Sequence, residues 1–152
     1  MGRQIHVDLE RLIPAPPERV HAALADYSGR ARILPASYLD WTVEEGGQGA
    51  GTVVSYRLRA GRRARRYRME VAEPTPGVTL VERDRDSSLV TTWILSPTAS
   101  GTATDLKLST IWEGRGGVGG FFERTFAPRG LRRVHGELLD RLTRAVGADP
   151  AG

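Results

Sequence analysis

The sequence predicts an α+β fold in which a curved antiparallel sheet of seven strands wraps around a long C-terminal helix. Three observations support this prediction. Apolar and polar residues alternate through most of residues 37–113, turn residues separate the alternating segments, and a helical period follows near the end of the chain. Because successive strands joined by short turns pair with their neighbours, this order favours an antiparallel meander over a parallel sheet.

A strand and short helical segments come before the main series of strands. Apolar and polar residues alternate from Ile5 to Glu10, which is the period of a half-buried strand. The proline-rich residues 14–17 end this strand and can begin a helix, since proline is tolerated in a first helical turn. That helix is predicted to end at Ser28-Gly29, and residues 30–34 could add one further helical turn.

Six more strands are predicted between this helix and the C-terminal helix. Each consists of alternating apolar and polar residues, and glycine or proline turns such as Gly46–Gly51 and Pro74–Gly77 separate them. The segments that carry the pattern are Leu39–Val43, Val54–Leu58, Tyr67–Val71, Val78–Glu82, Leu89–Leu95 and Asp105–Trp112.

The last part of the chain is predicted to be a strongly amphipathic helix. Pro128 is expected to separate it from a shorter helical piece, Phe121–Ala127. Such a helix needs a concave apolar partner, and the cleft between helix and sheet is where a pocket is expected. One arc of the helix collects Leu131, Val134, His135, Leu138, Leu139, Leu142, Ala145 and Val146.

Length and composition indicate a single domain over residues 1–147, followed by a disordered C-terminal tail, 148–152. The chain contains no cysteine, which excludes disulfides and thiolate chemistry. No segment reaches the roughly 20 apolar residues that span a bilayer, so stable membrane insertion is not expected. The N-terminal residues lack an apolar signal-peptide core, and a cytoplasmic location is therefore expected.

The positive charge is concentrated in a predicted hairpin, Arg57–Arg68. The net charge is +4, and Lys107 is the single lysine among the 22 basic residues. The hairpin is interpreted as a solvated face, with docking of an acidic protein partner as the alternative. Nucleic acid is not expected as a partner, because no aromatic residues interleave on the same face. The arginines concerned are Arg57, Arg59, Arg62, Arg63, Arg65, Arg66 and Arg68.

Several segments resemble one known superfamily when they are read in order. They are Ile13–Val20 with the following Leu24-Ala25-Asp26, the strand entry Gly49–Val54, and the stretch from Phe121 to Leu131. The chain resembles the START/Bet v 1-like (SRPBCC) superfamily, and in its last helix the polyketide cyclase/dehydrase-like branch. This resemblance implies a helix-grip fold whose cavity binds lipids, polyketides or other apolar molecules. It implies no particular reaction, because the superfamily has no shared catalytic motif. At position 21, where an aromatic residue is common in the superfamily, this chain has His21, so no role of that aromatic residue carries over.

His135 and Tyr67 are the candidate catalytic residues. His135 lies inside the apolar arc of the last helix, where a buried imidazole needs a hydrogen-bond partner. It is either a core histidine with such a partner or a polar anchor and general base at the cavity wall. Tyr56 and Tyr67 fall on the apolar parity of neighbouring strands, where each could orient a ligand through its hydroxyl or simply pack.

The remaining predicted cavity residues follow from the same strand and helix parities. A phosphate-binding loop, a dinucleotide fingerprint and a nucleophile elbow are missing from the sequence. Its three histidines lie on different predicted elements, so neither a metal nor a cofactor is predicted. The predicted ligand-binding cavity consists of Tyr56, Tyr67, Met69, Thr91, Trp93, Leu108, Trp112, Phe122, Phe126, His135 and Leu138.

Binding of an apolar small molecule between sheet and helix is the leading functional hypothesis. An enzyme is the first alternative, a polyketide aromatase/cyclase or dehydratase that uses cavity histidine and tyrosine as acid–base groups. A protein-interaction module that docks an acidic partner through Arg57–Arg68 is the second. Ligand identity, catalysis and the choice between monomer and homodimer stay open at this point.

Overall fold

The computed structural model describes residues 3–60, 63–114 and 128–147. The predicted piece Phe121–Ala127 and the predicted tail, 148–152, lie outside these residues. The strands are β1 (Arg3–Ile13), β2 (Tyr38–Glu45), β3 (Val53–Ala60), β4 (Arg63–Ala72), β5 (Thr79–Asp84), β6 (Val90–Pro97) and β7 (Thr104–Gly114). The helices are α1 (Pro17–Ala25), a short 3₁₀ helix (Arg30–Arg32) and α2 (Pro128–Gly147).

All seven strands form one antiparallel sheet in the order β1-β7-β6-β5-β4-β3-β2. The predicted fold, a seven-stranded antiparallel sheet with a long C-terminal helix, is confirmed, and the structure adds the pairing of the first strand with the last. Register shifts between β2 and β3 interrupt the regular ladder near Asp40, whose φ is 58°. At the turn between these strands Gly46 has a φ of 70°, and a Cβ there would lie 2.9 Å from the Thr52 Cα. Only glycine fits that position without strain.

The strand register places the bulky residues of neighbouring strands side by side on the inner face. Tyr56 pairs directly with Tyr67, and Trp93 pairs with Leu108. Since successive side chains of a strand point to opposite faces, the intervening arginines of β3 face outwards, and Arg57 is exposed.

Helix α2 packs its apolar side on the sheet and contacts both β1 and α1. The described part of this helix spans Pro128–Gly147. Ala145 differs from its predicted place in the apolar arc, because it is exposed in the last turn of the helix. The residues of α2 that are buried are Leu131, Val134, His135, Leu138, Leu139, Leu142 and Val146.

Candidate functional site

A cavity lies between the inner face of the sheet and α2. Its volume is about 30 Å³, so the surrounding side chains nearly fill it. Strands β2 to β7 supply one side, α2 supplies the other, and the 3₁₀ helix adds one residue. The lining residues are Arg30, Tyr38, Trp41, Val54, Tyr56, Leu58, Tyr67, Met69, Glu82, Leu89, Thr91, Trp93, Thr110, Leu131, His135 and Leu138.

Four of these residues form an aromatic cluster, defined as Tyr38, Trp41, Tyr56 and Tyr67. The ring centroid of Tyr56 lies 5.2 Å from that of Tyr38, 5.2 Å from that of Trp41 and 5.8 Å from that of Tyr67. The indole N–H of Trp41 donates a hydrogen bond of 2.9 Å to the backbone carbonyl of Tyr27, which holds the Trp41 ring in place. The four rings are therefore in contact with one another as one aromatic group at the cavity lining.

A buried polar group lies beside this aromatic wall. Arg30 and Glu82 form an ion pair with 3.3 Å between Nη2 and Oε2, and their side chains are only 3% and 10% exposed. The hydroxyl of Tyr27 donates to the same Glu82 oxygen at 2.6 Å, and Arg30 Nη2 also donates to the Leu24 carbonyl at 2.5 Å. A buried ion pair is tolerated when further hydrogen bonds support it, and these two bonds do so.

The pKa shifts around this pair describe the electrostatics of the cavity. Burial raises the pKa values of Tyr27 and Tyr38, and the negative charge of Glu82 raises them further. Burial alone would lower the pKa of Arg30, but Glu82 and Tyr27 outweigh it and raise that pKa. Arg30 therefore stays charged, while the tyrosines of the cavity stay neutral.

His135 lies on the opposite wall, on α2. It is 5% exposed, and burial lowers the pKa of its imidazole to about 4. The imidazole is therefore neutral at physiological pH, so one ring nitrogen can accept a hydrogen bond. Its Nδ1 has no hydrogen-bond partner within the part of the chain that the structure describes.

Most of the sequence-predicted cavity residues come together at this one cavity. Those at the lining are Tyr56, Tyr67, Met69, Thr91, Trp93, His135 and Leu138. The Thr91 hydroxyl is bonded to that of Thr110 at 2.8 Å, so these two groups satisfy each other.

The other predicted cavity residues lie elsewhere or are not described. Leu108 is not among the lining residues, since it is completely buried in the core beside its partner Trp93. Trp112 lines an adjoining opening, together with Arg65 and Tyr67. Phe122 and Phe126 fall outside the described residues.

Sequence reasoning missed the polar pair and half of the aromatic cluster. Glu82 carried a signal, because it follows Leu80 on the inward parity of β5. Tyr38 and Trp41 lie on either side of the register shift in β2, where strict alternation fails. Arg30 carried no signal, since it lies in a short helical turn outside any strand pattern.

The arginine hairpin is partly neutralised by neighbouring carboxylates. Arg57 Nη2 lies 2.8 Å from Asp40 Oδ2, and Arg68 Nη2 lies 2.7 Å from Glu44 Oε1. Arg65 differs from the outward-facing arginines, because its guanidinium carbon lies 5.5 Å from the ring centroid of Tyr67. The hairpin is thus less basic towards solvent than its sequence indicates.

Comparison with known families identifies the fold's relatives. The sequence model of the family described as "Polyketide cyclase / dehydrase and lipid transport" matches residues 4–147. The chain belongs to this family. The resemblance to the START/Bet v 1-like superfamily and its polyketide cyclase/dehydrase-like branch is thereby confirmed.

Solved structures of similar fold include three with high coverage of this chain. The KanY protein is 41% identical over 95% of this chain and 99% of its own, with a TM-score of 0.83. The ZhuI aromatase/cyclase from Streptomyces sp. R1128 is 20% identical over 99% of both chains, with a TM-score of 0.69. Norcoclaurine synthase from Thalictrum flavum, in complex with dopamine and hydroxybenzaldehyde, is 14% identical over 97% of this chain and 88% of its own, with a TM-score of 0.70.

Among proteins of curated function, none matches this sequence significantly. Of the helices in the described ranges, none has the length and apolarity that a membrane span requires. The described residues also contain no group of three or more histidine, aspartate or glutamate side chains that could hold a metal ion.

Proposed function

We propose that this protein binds a flat, largely apolar small molecule in the cavity between the sheet and α2. The aromatic cluster is the observation that carries the proposal. Its rings line one wall, and Leu131 and Leu138 of α2 line the wall opposite. A flat ligand between these walls would be in contact with π faces on one side and with aliphatic side chains on the other.

The family supports this proposal in general terms. Its description includes both polyketide and lipid ligands. In one protein of similar fold, norcoclaurine synthase, the bound molecules are small aromatic compounds. The cavity tyrosines and His135 are neutral, so these side chains also favour an uncharged, apolar molecule.

Binding of β-ethylnaphthalene, an uncharged aromatic probe, tests the proposal. Quenching of tryptophan fluorescence should follow a saturable curve, because Trp41 and Trp93 line the cavity. The Tyr56→Leu variant keeps an apolar side chain but removes the central ring of the cluster. Its affinity for the probe should fall by about 3- to 10-fold, the usual contribution of an aromatic pair.

Leu12→Ala is the matched control for this experiment. Leu12 is 64% exposed on β1 and does not line the cavity, so the variant should bind the probe like the wild type. Equal loss of affinity in both variants, or no saturable binding by the wild type, would contradict the proposal. Native mass spectrometry of the purified protein offers a second readout, in which a co-purified apolar molecule is expected.

A second candidate function is acid–base catalysis on the bound molecule, as in an aromatase/cyclase or dehydratase. A neutral, buried imidazole with an unpartnered Nδ1 at the cavity wall favours it, since such a group can accept a proton. Tyr67, whose pKa is raised chiefly by burial, would remain protonated and could donate. His135 and Tyr67 would then be the catalytic residues.

Deuterium exchange separates catalysis from binding alone. In heavy water, an enzyme of this kind should accelerate exchange at the methyl group of β-acetylnaphthalene, which is next to the carbonyl. The His135→Gln variant should lose this acceleration while it still binds the probe. If the exchange rate of the probe in the saturated wild-type complex equals its rate in buffer alone, the protein binds the molecule without catalysing exchange.

The arginine hairpin does not favour a third function. Because Arg57 and Arg68 are already paired with Asp40 and Glu44, docking of an acidic protein would have to displace those carboxylates. We propose that the hairpin is a solvated surface, with nucleic acid not a partner. Any association with duplex DNA should be non-specific and lost at moderate salt, which a gel-shift titration would show.

A further inference from the structure

Two N–H groups on one wall of the cavity have no acceptor in the described part of the chain. They are the Nε of Arg30 and the indole Nε1 of Trp93. The two residues are 3% and 1% exposed, and both line the cavity. A buried donor without a partner destabilises the folded state, so folded proteins rarely retain one without a reason.

The side chains of Arg30 and Trp93 are neighbours, and the Arg30 guanidinium is held in place. The guanidinium carbon of Arg30 lies 5.5 Å from the centroid of the Trp93 ring and 4.4 Å from that of Tyr27. Its Nη2 is fixed by bonds to Glu82 and to the Leu24 carbonyl. The Arg30 side chain therefore cannot turn its Nε towards another protein acceptor without breaking these contacts.

The charge beside the donors restricts what they can bind. The positive charge of Arg30 is already offset by Glu82, whose carboxylate lies 3.3 Å away. A ligand carboxylate at the same place would be close to Glu82, and the described lining residues include no second arginine or lysine to balance it. Burial chiefly raises the pKa values of Tyr27, Tyr38 and Tyr56, and the negative charge of Glu82 raises them further, so a further negative charge is disfavoured there.

We infer that Arg30 and Trp93 form a polar subsite for an uncharged carbonyl oxygen of the ligand, and that this subsite selects ketones or aldehydes over carboxylates. The inference rests on the proposed function, because it names the polar end of the molecule whose rings stack on the aromatic cluster. A carbonyl oxygen has two lone pairs and can accept from both N–H groups together. An ionised carboxylate would lose its hydration without gaining a net countercharge.

Three naphthalenes of almost equal size test this subsite on the intact protein. β-Acetylnaphthalene carries a carbonyl oxygen, β-ethylnaphthalene carries none, and β-naphthoate is ionised at neutral pH. Titration of the wild type should give about 2- to 10-fold tighter binding of the ketone than of the hydrocarbon, the range expected for one or two net hydrogen bonds. The naphthoate should bind more weakly than either.

The indole N–H resonances in a nitrogen–proton correlation spectrum report on the donor directly. The Trp93 resonance should move downfield with the ketone by more than it moves with the hydrocarbon, whose ring current is the same. Trp41 is the internal control, since its N–H already donates to the Tyr27 carbonyl. Its resonance should respond equally to both probes.

The Trp93→Phe variant removes one donor and keeps an aromatic ring. It should reduce the preference for the ketone over the hydrocarbon, as expected for the loss of one hydrogen bond. If this variant does not fold, the probe series and the Trp93 resonance of the wild type still decide the question.

The outcomes separate this inference from the proposed function. Equal affinities for ketone and hydrocarbon, an unmoved Trp93 resonance, or tighter binding of naphthoate would overturn the carbonyl subsite while leaving the aromatic cavity intact. Failure of all three probes to bind would instead overturn the proposed function.

Discussion

Arg30 and the arginines of the β3–β4 hairpin show opposite uses of the same side chain. The hairpin concentrates its guanidinium groups at the surface, where Arg57 is 49% exposed and its partner Asp40 is 68% exposed. Arg30 stands alone in a helical turn, yet it is almost completely buried against Glu82 and two aromatic rings. Burial, and not the density of charges, therefore determines which arginine has large energetic consequences.

The physical reason for this difference is the dielectric environment. Charges near water interact weakly, because solvent screens them and because long side chains lose entropy on pairing. Charges removed from water interact strongly, and leaving one of them without its partner is costly. Four variants or conditions test this contrast, beginning with the one of largest expected effect.

Replacement of Arg30 should have the largest effect on stability. Arg30→Met leaves the Glu82 carboxylate buried with no cation, which should lower the free energy of unfolding by about 3–5 kcal/mol. The double variant Arg30→Met/Glu82→Leu removes both charges and should recover most of this loss. Urea denaturation of both variants measures the difference. If Arg30→Met is as stable as the wild type, loss of the cation does not destabilise the fold, contrary to what a buried ion pair requires.

Leu138 extends the same contrast to apolar side chains. It is 2% exposed on the cavity side of α2, and Leu138→Ala should lower the free energy of unfolding by about 2–5 kcal/mol. The same substitution at Leu12, which is 64% exposed, should change it by less than about 0.5 kcal/mol. Guanidinium denaturation of the two variants is the measurement, and the reverse order would refute the orientation of the helix.

His135 makes stability depend on pH. Its pKa is about 4 in the folded protein against an ordinary value of 6.5, so the unfolded chain binds this proton more readily. The contribution of the neutral imidazole to the free energy of unfolding is fully present above about pH 6.5 and is lost as pH falls through about 4. The whole change is about 3 kcal/mol.

The His135→Gln variant checks this contribution, since every other titrating group is the same in both proteins. Between about pH 6.5 and 4, its free energy of unfolding should fall less steeply than that of the wild type. Denaturation curves at several pH values in this range provide the comparison. Parallel curves for the two proteins would indicate that the imidazole is not buried.

Arg57 should show the smallest effect. Its ion pair with Asp40 is exposed to solvent, so Arg57→Ala should change the free energy of unfolding by no more than about 0.5 kcal/mol. Thermal denaturation at low and high salt would measure it. A loss comparable to that of Arg30→Met would remove the distinction between the two kinds of arginine.

The two sides of the cavity were predictable to different degrees. Tyr56, Tyr67 and Trp93 followed from alternation, because successive side chains of a strand point to opposite faces. His135 and Leu138 followed in the same way from the helical period of α2. The other half of the aromatic cluster did not, since the register shift near Asp40 breaks the alternation on which the prediction depends.

The sequence by itself determined the order of the elements, the antiparallel sheet and, outside β2, the side of the strands that meets the helix. These features depend on backbone periods and turn residues, which act over a few positions of the chain. Only the tertiary structure decided that Arg30 meets Glu82, which lies 52 positions further along the chain. That contact depends on how the sheet curves and where α1 ends, and both result from the packing of the whole domain.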